Sequence, residues 1–88
     1  MKPKINDKVW TIYDYQILLE RVEYIGEDSF LIEGYQDKYD PCYSYSDYNK
    51  TWFKDLEKAK KEMRKRFGKD TKIEKYDDEC WEVVDDDE

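Results

Sequence analysis

Carboxylates and thiols are the side chains of this chain whose types and spacing could do chemistry. Asp77 and Asp78 are neighbouring acids that could act as general acid and base, and Cys42 and Cys80 are possible nucleophiles. The chain contains no histidine, which excludes Ser-His-Asp and Cys-His nucleophile pairs. Adjacent acids in turns are ordinary surface residues, and neither cysteine has a base beside it in the sequence. We therefore expect a protein that is not an enzyme.

Metal and membrane signatures are also missing from the sequence. Without histidine, and with two cysteines that lack C-x-x-C spacing, a zinc site is not expected, and no D-x-D-x-D-G calcium loop is present. We expect no cofactor and two free thiols. No apolar stretch approaches the roughly 20 residues of a membrane span, and the opening MKPKINDK is unlike a signal peptide. These observations predict a cytoplasmic protein, in a host cell if it is a phage protein.

Charge is strongly segregated along the chain, which has 88 residues and a formal net charge of −7. Residues 54–75 hold 10 basic and 5 acidic side chains, whereas residues 76–88 hold 8 acidic and no basic ones. The basic segment places Lys54, Lys58, Lys61 and Lys65 in a helical row, with Arg64 beside them. Such a row can contact phosphates, or it can be the solvated side of an amphipathic helix. The overall acidity favours the second interpretation.

Tyrosines are concentrated between residues 35 and 48, where five of the chain's nine fall. Tyr35, Tyr43 and Tyr45 can build the core of a chain poor in aliphatic residues, since large rings bury much apolar area. Tyrosines also concentrate binding energy at protein interfaces. Base stacking is the third alternative, but it needs a cationic groove, and the neighbouring charges are aspartates.

The acidic C-terminal segment is a further candidate for binding. Glu79, Glu82 and the acids from residue 85 onward can present carboxylates to a basic surface at roughly phosphate-like spacing, or they can simply aid solubility. We expect residues 1–84 to form a single small domain and residues 85–88 to form a frayed acidic tail.

The elements that must position these residues are mostly strands. Segments 8–13 and 16–25 have strand-like composition, although 16–25 also has partial helical spacing. A hairpin of 17–25 with 30–35 is expected. After Pro41 a strand-like alternation continues, and two short strands are expected around the turn at Asp77 and Asp78. An amphipathic helix near 55–67 carries an apolar stripe (Leu56, Ala59, Met63 and Phe67), an acidic cap at Asp55 and a terminal Gly68. The predicted fold is α+β, a small, strongly bent antiparallel sheet or SH3-like barrel with one helix.

Two segments of the chain resemble small phage and mobile-element proteins of low-GC bacteria with a strand-rich, SH3-like fold and a late helix. They are Asp7-Lys8-Val9-Trp10-Thr11-Ile12 and Trp52-Phe53-Lys54-Asp55-Leu56-Glu57-Lys58-Ala59, and the resemblance spans residues 7–67. Those proteins commonly carry Ser or Thr as the helix cap. Lys54 stands in that place here, so the cap is expected to move to Asp55. The resemblance implies a fold and a phage-type genomic setting.

These features together lead to two hypotheses of function. The first is a non-catalytic, phage-type inhibitor, anti-CRISPR-like, that binds a basic surface of a host nucleic-acid-handling or defence protein. Its predicted partner-binding residues are Tyr39, Asp40, Asp47, Tyr48, Glu79, Glu82, Asp85 and Asp86. The alternative is a small nucleic-acid-binding accessory protein that uses Lys54, Lys58, Lys61, Arg64 and Lys65. A homo-oligomer that pairs through tyrosine-rich edges is a third possibility.

Overall fold

A strongly curled antiparallel sheet and one helix make up the computed structural model, which describes residues 2–33 and 42–84. This architecture confirms the predicted α+β class and is consistent with a small SH3-like barrel plus a helix. The predicted roles of Tyr35, Tyr39 and Asp40, and of the tail at 85–88, lie outside the described residues.

The described residues form seven strands and one α-helix. In order they are β1 (Lys8–Tyr13), β2 (Gln16–Ile25), β3 (Ser29–Ile32), β4 (Cys42–Ser44), β5 (Trp52–Phe53), α1 (Leu56–Phe67), β6 (Lys72–Asp77) and β7 (Cys80–Val84). A short 3-10 helix (Tyr45–Asp47) lies between β4 and β5. The predicted hairpins, β2 with β3 and β6 with β7, are both present. Asp77 is the last residue of β6, so the second turn lies at Asp78 and Glu79 and not at Asp77 and Asp78 as predicted.

The ten-residue strand β2 is the centre of the sheet. The strands pair in the order β4-β3-β2-β1-β5, and β7 adds to β2 through Gln16, Ile17 and Leu18. Strand β1 occupies one edge of β2, opposite Gln16 to Arg21. The other edge of β2 is therefore shared, first by β7 and then by β3, which pairs from Val22 onward. Between these two partners lie residues 19–21 of β2, and we call this part of the edge the seam.

Two apolar clusters cover the two faces of the curled sheet. The first consists of Val9, Val22, Phe30, Ile32 and Trp52. The second consists of Ile12, Ile17, Phe53, Ala59 and Met63, and it joins α1 to the sheet. The neighbouring residues Trp52 and Phe53 enter different clusters because side chains alternate across a strand. Strand β5 therefore links both halves of the core.

Helix α1 begins and ends as its sequence predicts. Asp55 is the N-cap, and its Oδ1 accepts the Glu57 N–H at 2.9 Å. Gly68 ends the helix with a φ of 124°, a conformation that L side chains rarely adopt. The apolar stripe is shorter than predicted, because Phe67 is 44% exposed and its ring lies against Tyr15. Among the described residues, no helix has both the length and the apolarity to cross a membrane.

The tyrosine-rich segment differs from its predicted strand. Strand β4 ends at Ser44, and Tyr45 begins the 3-10 helix, whose first turn is capped by the Ser44 hydroxyl. The rings of Tyr43 and Tyr45 nevertheless both stack on Phe30, each with its centroid 5.9 Å away. The Tyr45 hydroxyl donates to the Gly26 carbonyl at 2.7 Å. These two tyrosines thus support the core, as the first of the three alternatives predicts.

Candidate binding surfaces

The seam on β2 brings carboxylates from three parts of the chain together. The Leu19 N–H donates to the Glu79 carbonyl at 2.8 Å, and the Glu33 N–H donates to the Arg21 carbonyl at 3.0 Å. Glu20 lies between these two attachment points. Its neighbours along the seam are therefore the turn that joins β6 to β7 on one side and the end of β3 on the other.

A small depression opens at this seam, and we call it the seam pocket. Its volume is about 150 Å³. It is lined by Leu18, Leu19, Glu20, Asp77, Glu79 and Cys80. Three of these six side chains are carboxylates and two are leucines, so the pocket combines negative charge with an apolar wall.

Glu20 is the unusual residue of the seam pocket. It is only 8% exposed, and the described residues give its carboxyl neither a hydrogen bond nor an ion pair. Burial raises the pKa of Glu20 to about 7, with smaller contributions from the negative charges of Glu79 and Glu33. Those two neighbours have cations of their own, Lys8 at 3.8 Å from Glu79 and Arg21 at 3.0 Å from Glu33.

Only part of the predicted partner-binding set meets at the seam. Glu79 lines the pocket, whereas Glu82 lies farther along β7 and accepts a 3.5 Å hydrogen bond from Gln16 Nε2. Asp47 and Tyr48 lie at the 3-10 helix, where the Tyr48 ring packs 4.8 Å from that of Trp52. Tyr39, Asp40, Asp85 and Asp86 lie outside the described residues. Partner contact by these residues stays a prediction.

The basic residues of the alternative set form a second surface, which we call the helix groove. This groove has a volume of about 420 Å³ and is lined by Asn49, Lys58, Lys61, Glu62 and Lys65. The two other predicted residues are engaged elsewhere. Lys54 pairs with Asp7 at 3.6 Å, and Arg64 Nε donates to the Thr71 carbonyl at 3.4 Å.

Sequence reasoning missed Glu20 at the seam, and it did not single out the exposed Tyr76. The signal for Glu20 was the alternation Leu18, Glu20, Val22, in which an acid occupies an apolar position. Tyr76 is a bulged residue of β6 next to Asp77, and it is 71% exposed. Nothing in its local sequence distinguishes it from the tyrosines that pack into the core.

The two cysteines are separate free thiols. Cys42 is exposed, and its Sγ donates to Ser29 Oγ at 3.4 Å. Cys80 is buried, and burial raises the pKa of its thiol, as do the charges of Asp77 and Glu82. A raised pKa disfavours the reactive thiolate. Within residues 2–33 and 42–84, no three His, Cys, Asp or Glu side chains are grouped to hold a metal ion.

Comparison with known proteins assigns the chain to no family. Neither a family model, nor a curated protein, nor a solved structure matches it. The seam pocket and the helix groove are therefore the observations from which a function is inferred.

Proposed function

We propose that this protein is a non-catalytic, phage-type inhibitor that binds a basic surface of a host nucleic-acid-handling or defence protein, in the manner of an anti-CRISPR protein. The observation that carries the proposal is the gathering of Glu20, Asp77 and Glu79 in one pocket of a chain whose net charge is −7. Surfaces that bind nucleic acid are rich in lysine and arginine. A carboxylate-lined surface is complementary to them.

Two physical effects would act at such a contact. Long-range attraction between opposite charges speeds association, whereas buried aromatic area slows dissociation. Tyr76, which precedes Asp77 in the sequence, is 71% exposed, and its ring would be available to such a contact. The acids of the tail and of the tyrosine-rich segment would add to the attraction.

Charge reversal in the turn beside the seam pocket tests this proposal. Asp78 and Glu79 are exposed turn residues, and the pair Asp78→Lys with Glu79→Lys changes the net charge by +4 without removing a core side chain. We expect the wild-type protein to retain a basic nucleic-acid-binding protein from host lysate and to block its binding to nucleic acid. The double variant should lose at least tenfold in that inhibition.

A matched control uses the turn between β2 and β3. The pair Glu27→Lys with Asp28→Lys makes the same charge change at two exposed turn residues, and it should inhibit almost as well as the wild type. The proposal is wrong if the wild-type protein retains no basic nucleic-acid-binding protein at low or moderate salt and leaves host nuclease activity unaffected.

A second candidate function is direct nucleic-acid binding through the helix groove. It is favoured by Lys58, Lys61 and Lys65, which line one groove and form no ion pair with the described residues. Three phosphate contacts would give a logarithmic salt dependence with a slope of about −2 to −3. The acidic remainder of the chain opposes such binding.

A gel-shift assay checks this second candidate. If the groove binds nucleic acid, Lys61→Glu should weaken binding by about tenfold or more at low salt, because it reverses a charge inside the groove. Lys69→Glu makes the same charge change outside the groove, on an exposed residue after α1, and should have a smaller effect. Unchanged mobility of the nucleic acid with wild-type protein at low salt eliminates this function.

A further inference from the structure

We propose that the seam pocket receives one arginine side chain of the protein partner and that Glu20 is the counter-charge for its guanidinium group. This inference rests on the proposed function and names the chemistry that the acidic surface recognises. It begins from the state of Glu20 in the isolated chain.

Glu20 has a carboxylate that nothing in the described chain neutralises. Charge on a side chain that is only 8% exposed is unfavourable, and an opposite charge nearby offsets that cost. Among the described residues, Lys8 already pairs with Glu79, and Arg21 already pairs with Glu33. Arg21 also donates through its Nη1 to Asn6 Oδ1 at 2.6 Å. A cation that pairs with the ionised Glu20 carboxylate would therefore come from outside the described residues.

The size of the seam pocket restricts what that cation can be. A cavity of about 150 Å³ holds a group of about six heavy atoms. A guanidinium group has four heavy atoms, so it fits within this volume. The carboxylates of the described residues are not grouped as a metal site.

The lining of the pocket favours arginine over lysine. The planar guanidinium can donate to more than one carboxylate oxygen, and the carboxylates of Glu20, Asp77 and Glu79 all line the pocket. Arginine is also less strongly hydrated than lysine, which suits contact with the buried Glu20 side chain. Leu18 and Leu19 provide an apolar wall for the methylene groups of the arginine side chain.

Binding of a fluorescein-labelled hexa-arginine peptide tests the inference. We expect Glu20→Gln to weaken binding by at least tenfold at pH 8. The control Glu27→Gln removes the same charge from an exposed turn and should stay within about twofold of the wild type. A hexalysine peptide should bind more weakly than hexa-arginine to the wild-type protein, and both peptides should bind similarly to Glu20→Gln.

The pH dependence of this binding identifies Glu20 as the group responsible. The guanidinium binds the ionised carboxylate, and the free protein has a Glu20 pKa of about 7. Wild-type affinity should therefore fall about tenfold between pH 8 and pH 6. The chain has no histidine that could titrate in this range. The charged groups around Glu20 are Asp77, Glu79, Glu33, Lys8 and Arg21. Since Glu20→Gln removes only the Glu20 carboxyl, this variant should bind equally at both pH values.

The possible outcomes separate this inference from the proposed function. Equal losses for Glu20→Gln and Glu27→Gln would mean that total charge, not the pocket, binds the peptide, and would overturn the inference. Failure of the wild-type protein to bind hexa-arginine would overturn it too.

If the host partner is retained equally by wild-type protein and Glu20→Gln, the inference alone fails. If no basic partner is retained at all, the proposed function fails. Urea denaturation of each variant confirms that it is folded.

Discussion

Replacing Trp52 with alanine is expected to lower the free energy of unfolding by about 4 kcal/mol, the largest effect of any single substitution considered. Trp52 is fully buried in the first apolar cluster. Its ring meets Phe30 edge-on with a centroid distance of 4.9 Å, and its Nε1 donates to the Ser44 carbonyl at 2.8 Å. Alanine would leave a large cavity and remove that hydrogen bond. Because small domains are stable by only about 5–15 kcal/mol, a substantial unfolded population is expected on warming.

Urea denaturation followed by circular dichroism measures this loss. Trp52→Phe keeps an aromatic ring in the cluster but loses the hydrogen bond and some volume, so it should cost only about 1–2 kcal/mol. Tyr76→Ala removes an exposed ring and should change stability by less than about 0.5 kcal/mol. A Trp52→Ala loss below about 1 kcal/mol would contradict the packing described for the first cluster.

The elements that could be predicted from the sequence are those with local causes. The helix begins at Asp55 and ends at Gly68 through hydrogen bonds within its own first and last turns. Its bounds could therefore be predicted from residue types. Strand β5 has no such local signal. Trp52 and Phe53 become a strand only by pairing with Thr11 and Trp10, some forty residues earlier in the chain. Their central place in the core therefore needed the tertiary structure.

In the candidate site, too, one residue could be predicted from the local sequence and another could not. Glu79 was predicted as a binding residue because it belongs to an acidic run, a property of the sequence alone. The burial of Glu20 arises because the β6–β7 turn and the end of β3 approach β2 from separate parts of the chain. The alternation of residues in segment 16–25 placed Glu20 on the same side of the strand as Leu18 and Val22. This pattern could not show which carboxylates from distant parts of the chain surround Glu20.

Glu20→Gln is expected to make the isolated protein more stable at neutral and alkaline pH. The substitution keeps the shape of the side chain and removes a buried negative charge that lacks a cation among the described residues. The repulsion from Glu79 and Glu33 is removed with it. Stabilisation by a substitution in a binding pocket is the expected result where a residue serves binding at a cost to stability.

The pH dependence of this effect has a definite sign. The pKa of Glu20 is about 7 in the folded protein, against an ordinary value of 4.5 in the unfolded chain. Between these two pH values the Glu20 carboxyl is protonated in the folded state and ionised in the unfolded state. The protonated carboxyl therefore favours the folded wild-type protein at low pH, and this contribution is lost as pH rises from about 4.5 through about 7. Since one pKa unit corresponds to about 1.4 kcal/mol, the advantage of Glu20→Gln over wild type should grow by about 3 kcal/mol from pH 4.5 to pH 8.

Urea denaturation of both proteins at several pH values measures this difference. Carboxylates with lowered pKa values, such as Asp7 and Asp78, are common to both proteins, so their contributions cancel in the comparison. Glu27→Gln should show no comparable trend. A difference between wild type and Glu20→Gln that stays constant with pH would mean that the carboxyl has an ordinary pKa and is solvated. Greater stability together with weaker hexa-arginine binding would instead separate the binding role of Glu20 from a structural one, because loss of a structural role would lower stability as well.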